Sequence, residues 1–326
     1  MTSIVRPAPA TASPESGDRF ACDVRDYLTQ HPRQLPSHYL YDELGSALFE
    51  AICRLPWYPL TRAELRLLRA HAREILDAGV ATAVELGAGS GLKLSALIRA
   101  AGPGRAPLAV HIVDVSASAL AQSRSTIESL EGVRVSTHEA TYEVGLEEFG
   151  PARPGGGRTL MLFLGSNIGN FDPPGRDVFL RAVRAALREG DGLLLGVDLV
   201  KPERELLQAY DDPLGVTAAF NLNLLARINR ELQGNFELDG FAHHVLWNPA
   251  LSRIEMHLRS RRTQRIVIRG ADLDLVLRED ETIWTESSYK YDAAGIGSML
   301  ERCGFTVRAQ WIDAVDRFAL TRAEAV

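Results

Sequence analysis

Between about Ala83 and Leu199 the chain alternates short, unbroken apolar runs with longer stretches of helical periodicity. The runs are Ala83–Leu86, Val110–Val115, Thr159–Leu164 and Leu193–Leu199, each closed by a glycine or a carboxylate. A strand covered on both faces has no polar side to present, so this pattern predicts central parallel strands joined by crossover helices. After Lys201 the texture changes. Val216–Leu232 carries apolar residues at three- and four-residue spacing and predicts a helix, whereas His244–Trp247, Arg253–Arg259 and Arg265–Arg269 read as strands. The end of the chain reads as helix Ala293–Cys303 followed by strands Gly304–Ile312 and Phe318–Thr321, which can return to complete the first sheet. The expected fold class is therefore α/β with a second, α+β unit. Residues 1–19 are expected to form a disordered tail and Pro151–Gly157 a loop, and no internal repeat is present.

Composition changes this picture little. At 326 residues the chain exceeds the usual single core, which suits one large domain with an added lobe. A hydrophobic fraction of 46% with 24% charged residues is that of a globular protein. The net charge of −6 provides no basic field for a phosphate backbone, so no nucleic-acid partner is expected. Cys22, Cys53 and Cys303 are far apart and form no CxxC pair, which argues against a disulfide framework or a zinc site and for a reducing, cytoplasmic setting. No apolar run nears the roughly 20 residues that cross a bilayer, and the opening residues lack the apolar core of a secretory signal. No membrane association is expected.

The strongest chemical signal is Val84-Glu85-Leu86-Gly87-Ala88-Gly89-Ser90-Gly91-Leu92-Lys93, which places glycines on the turn between a strand and a helix beginning near Leu92. Without side chains there, backbone N–H groups can approach a ligand closely. A dinucleotide fingerprint spaces its glycines as G-x-G-x-x-G; here the third comes one position early, and Glu85 stands two residues before the first. That pattern favours S-adenosylmethionine over a nicotinamide cofactor. Asp114, at the end of the next run, is placed to accept hydrogen bonds from both ribose hydroxyls. Lys93 is within reach of the donor's methionine carboxylate. His243, His244 and His257 do not predict a metal site, because adjacent histidines on a strand point to opposite faces.

Longer blocks carry a resemblance. Tyr41-Asp42-Glu43-Leu44-Gly45-Ser46, Leu55-Pro56-Trp57-Tyr58, Thr61-Arg62-Ala63-Glu64, Phe163-Leu164-Gly165-Ser166-Asn167-Ile168-Gly169-Asn170, Asp198-Leu199-Val200-Lys201, Tyr210-Asp211-Asp212 and Ile254-Glu255-Met256 resemble the histidine Nα-methyltransferases of ergothioneine biosynthesis. The resemblance runs from about Asp23 to Ala319. It implies a Rossmann-like S-adenosylmethionine-dependent methyltransferase domain of residues 63–200 plus 291–326, and a substrate-binding lobe of residues 20–62 plus 201–290. The implied reaction is three successive methylations of the α-amine of L-histidine, giving the betaine hercynine; a monomer is expected, though the sequence does not itself reveal the oligomeric state.

By position, the resemblance assigns Asn170 and Tyr210 to the amino-acid carboxylate, with Gly165 also at the substrate. Tyr41 and Tyr58 match pocket tyrosines given a catalytic role, Glu286 and Ser288 match residues that grip the imidazole, and Met256 matches one packing beside it. Gly87, Gly89, Lys93, Asp114, Thr141 and Tyr142 match cofactor-binding positions. Three departures stand out: Thr141-Tyr142 where the family usually has Asp-Phe near the adenine, Leu222 where relatives often carry arginine, and Asn167 in place of a hydroxyl residue. An enzyme of the same build acting on another amino acid such as tryptophan, or a non-catalytic cofactor-binding relative, are the competing readings. Glu286 and Ser288 weigh against the first, because buried polar groups reject substrates that leave them unpaired.

Overall fold

The computed structural model describes residues 16–102, 107–149 and 156–326. It divides into two compact units: the described residues up to Tyr58 with Pro202–Ser288, and Pro59–Lys201 with Tyr289–Val326. In chain order the strands of the described residues are β1 (Arg33–Gln34), β2 (Val80–Leu86), β3 (Leu108–Asp114), β4 (Val133–Glu139), β5 (Arg158–Phe163), β6 (Gly192–Asp198) and β7 (Phe241–Asn248). They continue with β8 (Arg253–Ser260), β9 (Gln264–Ile268), β10 (Leu273–Leu277), β11 (Thr282–Tyr289), β12 (Phe305–Asp313) and β13 (Phe318–Ala325).

The unit containing Pro59–Lys201 is built on a seven-stranded sheet of order β12-β13-β6-β5-β2-β3-β4. Strands β4, β3, β2, β5 and β6 run parallel. β13 pairs antiparallel with both β6 and β12, so it alone runs against the rest. The four apolar runs emerge as β2, β3, β5 and β6 with ends shifted by a few residues, and the C-terminal strands do return to the sheet. From β2 the chain steps outward to β3 and β4, then crosses back to β5 and β6 on the other side. The crevice at the carboxyl ends of β2 and β5 is thus the topological switch point, where open α/β sheets take their ligands. β4 has no apolar run because it is the outer strand, its residues alternately half-buried and exposed.

In the other unit a four-stranded sheet has the order β1-β11-β8-β7, with β7 and β8 antiparallel and His244 opposite His257. β9 and β10 form a separate antiparallel pair. The helix Val216–Leu232 spans the expected residues, buries Phe220, Leu224 and Ile228, and packs on β7 and β8, where its Asn221 Nδ2 reaches His243 Nδ1 at 3.0 Å. The expected tail lies outside the described residues as far as residue 15, but Ser16–Leu28 is helical. Phe20, Val24 and Leu28, four residues apart, are all buried and give that helix an apolar stripe to bury. Of the expected loop Pro151–Gly157, residues up to 155 lie outside the described set.

Candidate active site

The glycine turn follows β2 at the switch point. Gly87, Gly89 and Gly91 have φ of 73°, 53° and 72°, the left-handed region that a side chain disfavours. Space forbids a side chain as well: a Cβ on Gly87 would lie 2.8 Å from Tyr142 Oη and 3.1 Å from Asn167 Nδ2, and one on Gly91 would lie 2.9 Å from Ser123 Cα. Gly91 then caps the helix Leu92–Ala101, whose first N–H groups point toward the turn.

Asp114 ends β3 beside this turn. Its two carboxylate oxygens accept from the backbone N–H groups of Gly89 (3.1 Å) and Ser116 (3.0 Å), which fixes the side chain while leaving lone pairs on both oxygens. Burial raises its pKa, against the pull of those same hydrogen bonds. Tyr142 opens the helix Tyr142–Phe149 and packs on Phe163 at 5.2 Å and Phe179 at 5.8 Å. Thr141 precedes it, half-buried, its carbonyl accepting from Gly145 N–H.

Glu85, on β2, is 1% exposed, and its Oε2 has no hydrogen-bond partner among the described residues. Burial, reinforced by the charges of Glu64 and Asp114 and opposed by that of Lys93, pushes its pKa up to about 8. Lys93 Nζ forms an ion pair with the fully buried Glu64 at 2.8 Å. The turn after β5 completes this corner. Gly165 (φ 77°) and Ser166 (φ 60°) are both left-handed, and the short helix Asn167–Asn170 follows, ending on the half-buried Asn170. Among the sequence-expected donor residues, Gly87, Gly89, Lys93, Asp114 and Tyr142 therefore converge, and Gly165 lies beside Lys93.

The second cluster lies within the other unit. Tyr41, Phe49, Tyr58, Tyr210 and Phe220 form a chain of tilted and edge-on rings, with Tyr58 and Tyr210 centred 6.1 Å apart, Tyr41 and Phe220 5.5 Å apart, and Phe49 and Tyr58 6.4 Å apart. Tyr210 Oη and Ser288 Oγ share a hydrogen bond of 2.8 Å, buried. Burial raises the Tyr58 pKa far above its ordinary value, with Tyr210, Cys53, Tyr41 and Glu286 adding to the shift. Tyr41, Tyr58, Tyr210, Glu286 and Ser288 thus fall in one largely buried cluster. Met256 is 2% exposed, and its carbonyl accepts from the Thr285 hydroxyl at 3.0 Å.

Support behind these residues was not visible in the sequence. Trp284 Nε1 donates to the Glu286 carbonyl at 2.9 Å, and its ring stacks on His257 at 5.8 Å with Arg253 lying over it at 4.4 Å. His243 links to the Tyr210 carbonyl through Nε2 (2.8 Å) and to Asn221 Nδ2 through Nδ1 (3.0 Å). An amide nitrogen must donate and a carbonyl must accept, so His243 is the neutral tautomer with its proton on Nε2. Its pKa is lowered by burial, in the sense that tautomer requires. His243 and His257 share a partner, because Asn221 Nδ2 also donates to the His257 carbonyl at 3.1 Å. Among the described residues no group of three or more His, Cys, Asp and Glu side chains is arranged to hold a metal ion.

A glycine turn at the switch point, a carboxylate at the end of the neighbouring strand and a single reversed strand together define the class: a sheet built for S-adenosylmethionine-dependent methyl transfer. Residues 20–325 match the family described as histidine-specific, S-adenosylmethionine-dependent methyltransferases, and the chain belongs to that family. It is 41% identical to a histidine N-alpha-methyltransferase of Mycobacterium tuberculosis, over 92% of this chain and 93% of that protein. A histidine N-alpha-methyltransferase of Mycolicibacterium smegmatis is 38% identical over 96% of this chain and 97% of its own length. The ergothioneine biosynthesis protein 1 of Neurospora crassa is 29% identical over 78% of this chain and 31% of that longer protein.

Proposed function

We propose that this protein methylates the α-amine of L-histidine from S-adenosylmethionine, three times in succession, to give the trimethylated betaine hercynine on the route to ergothioneine. The observation that carries the reading is the buried cluster of Tyr58, Tyr210, Glu286 and Ser288 in a chain that belongs to the histidine-specific family.

The glycine turn fits the donor. Gly87, Gly89 and Gly91 let the turn adopt positive φ and pack closely on Tyr142 and Ser123 with its backbone bare, and Asp114 is held with acceptor capacity to spare. S-adenosylmethionine supplies an electrophilic methyl group on sulfur. The remaining chemistry is alignment, because a neutral amine is already a good nucleophile. An α-amine has an ordinary pKa of about 8, and a pocket of buried aromatic rings favours its neutral form.

Glu286 accepts the imidazole N–H, and Ser288, hydrogen-bonded to Tyr210, pairs with the other ring nitrogen. Tyr41 and Tyr58 offer ring faces to a nitrogen that becomes permanently cationic, an attraction on the order of 0.5–2 kcal/mol. Holding the amino acid by its ends leaves the nitrogen free to turn between transfers. The unit containing Tyr41, Tyr58, Tyr210 and Glu286 is accordingly the substrate-binding lobe, and the seven-stranded unit the methyltransferase domain. A cytoplasmic setting fits three free cysteines, and no helix of the described residues is long and apolar enough to cross a membrane.

The test is steady-state methylation of histidine, tryptophan and other amino acids by the purified protein, followed by mass spectrometry. Histidine should give the highest kcat/KM and products carrying one, two and three added methyl groups. Preference for another amino acid overturns the substrate assignment, and absence of any methylated product overturns catalysis.

A further inference from the structure

The structure assigns Glu64 as a positioning residue for the donor corner, acting through Lys93 and the turn at Gly165. The inference rests on the reading of the glycine turn as the S-adenosylmethionine site and adds a residue to it that does not touch the donor.

Glu64 belongs to the helix Leu60–Ala70, yet its side chain is 0% exposed and reaches into the carboxyl end of the sheet. Both of its oxygens accept from the Gly165 N–H, each at 2.9 Å, and Oε2 pairs with Lys93 Nζ at 2.8 Å. Two glycines make this approach possible. A Cβ on Gly196, in β6, would collide with Glu64 Oε1, and a Cβ on Gly165 would lie 2.7 Å from Lys93 Nζ.

A buried carboxylate is costly unless it is paired, and here one charge satisfies an ammonium and a backbone N–H at once. The backbone it holds is strained. Gly165 and Ser166 are consecutive left-handed residues, the second with a side chain, and such geometry persists only where its surroundings over-determine it. Ser166 is fixed from the far side, its Oγ accepting from Asp198 N–H at 3.0 Å and its carbonyl from Gly169 N–H at 2.8 Å. Glu64 supplies the restraint on the near side. It also sets the charge balance of the corner, because Lys93 opposes the upward shift of Glu85 that Glu64 and Asp114 promote. The ion pair with Glu64 restrains the Lys93 ammonium before any ligand arrives.

The Glu64→Gln side chain retains an acceptor for Gly165 N–H but loses the charge that orients Lys93. Calorimetric titration with S-adenosylhomocysteine, needing no turnover, should show affinity about tenfold weaker for Glu64→Gln and about tenfold weaker for Lys93→Gln. The double variant should be no weaker than either single one, because residues acting as a unit are not additive. Melting curves of all three without ligand establish that the fold is intact. Unchanged affinity in Glu64→Gln, or losses that multiply in the double variant, overturns the inference. Asp114→Ala serves as the control for the reading beneath it: unchanged affinity there moves the donor out of this corner, whatever Glu64 does.

Discussion

The pKa of Glu85 turns a buried carboxyl into a measurable pH dependence. The group is 1% exposed and shifted from an ordinary 4.5 to about 8, chiefly by burial. Between those values the unfolded chain is ionised while the folded chain keeps its proton, so the folded state binds the extra proton and stability falls as pH rises. The contribution is complete below pH 4.5 and is lost as pH climbs through the folded value near 8. Each pH unit costs about 1.4 kcal/mol, so the interval from pH 5 to pH 8 is worth about 4 kcal/mol.

Glu85→Gln keeps the shape and removes the titration. Relative to wild type, the variant should gain stability by that amount on going from pH 5 to pH 8. At roughly 2 °C per kcal/mol for a chain of this size, the difference in Tm should change by roughly 8 °C between the two pH values. Thermal melts of the unliganded proteins in matched buffers measure it. A Tm difference that is the same at both pH values refutes the assignment of a protonated Glu85. The functional counterpart follows from the donor's positive sulfonium, which favours the ionised carboxylate. S-adenosylmethionine binding near pH 7 should release a proton, seen as a buffer-dependent calorimetric enthalpy, and Glu85→Gln should abolish that release.

Glu286→Ala should raise the histidine KM by about 10-fold or more, as for loss of a charge-assisted hydrogen bond, while S-adenosylhomocysteine affinity stays within about twofold; equal losses of both would contradict its assignment to the imidazole. Asp114→Ala should weaken S-adenosylhomocysteine binding by about 10- to 100-fold in a calorimetric titration, and should lower the unliganded Tm by a few degrees because the Gly89 and Ser116 N–H groups lose their acceptor. Tyr210→Phe removes the hydrogen bond to Ser288 but keeps the ring packing on Tyr58, so histidine KM should rise about fivefold, as for one neutral hydrogen bond. The same KM for wild type and Tyr210→Phe would show that the phenol does not orient Ser288.

What the sequence made legible follows the range of the forces involved. β2, β3, β5 and β6 were readable because each is sealed by its own apolar side chains, and the helix Val216–Leu232 because its periodicity is complete over its length. β4 was not, because an outer strand is stabilised by pairing with β3 and has no need of an apolar run. The glycine turn and Asp114 could be singled out because a run of glycines after a strand and a carboxylate at the end of the next are both local features of the sequence.

The environments of the buried acids obey no such locality. Glu64 reads as an ordinary helical carboxylate, and nothing near it announces burial. Its environment is made by Gly165, Gly196 and Lys93, brought to it from β6, the turn after β5 and the helix after β2. The protonation of Glu85 is equally non-local, since it depends on charges at Glu64, Lys93 and Asp114. His243 likewise takes its tautomer from Asn221 and the Tyr210 carbonyl, on two different helices. Sequence spacing can therefore mark where a glycine turn is built, whereas the protonation states beside it arise only when distant acids and bases share one buried volume.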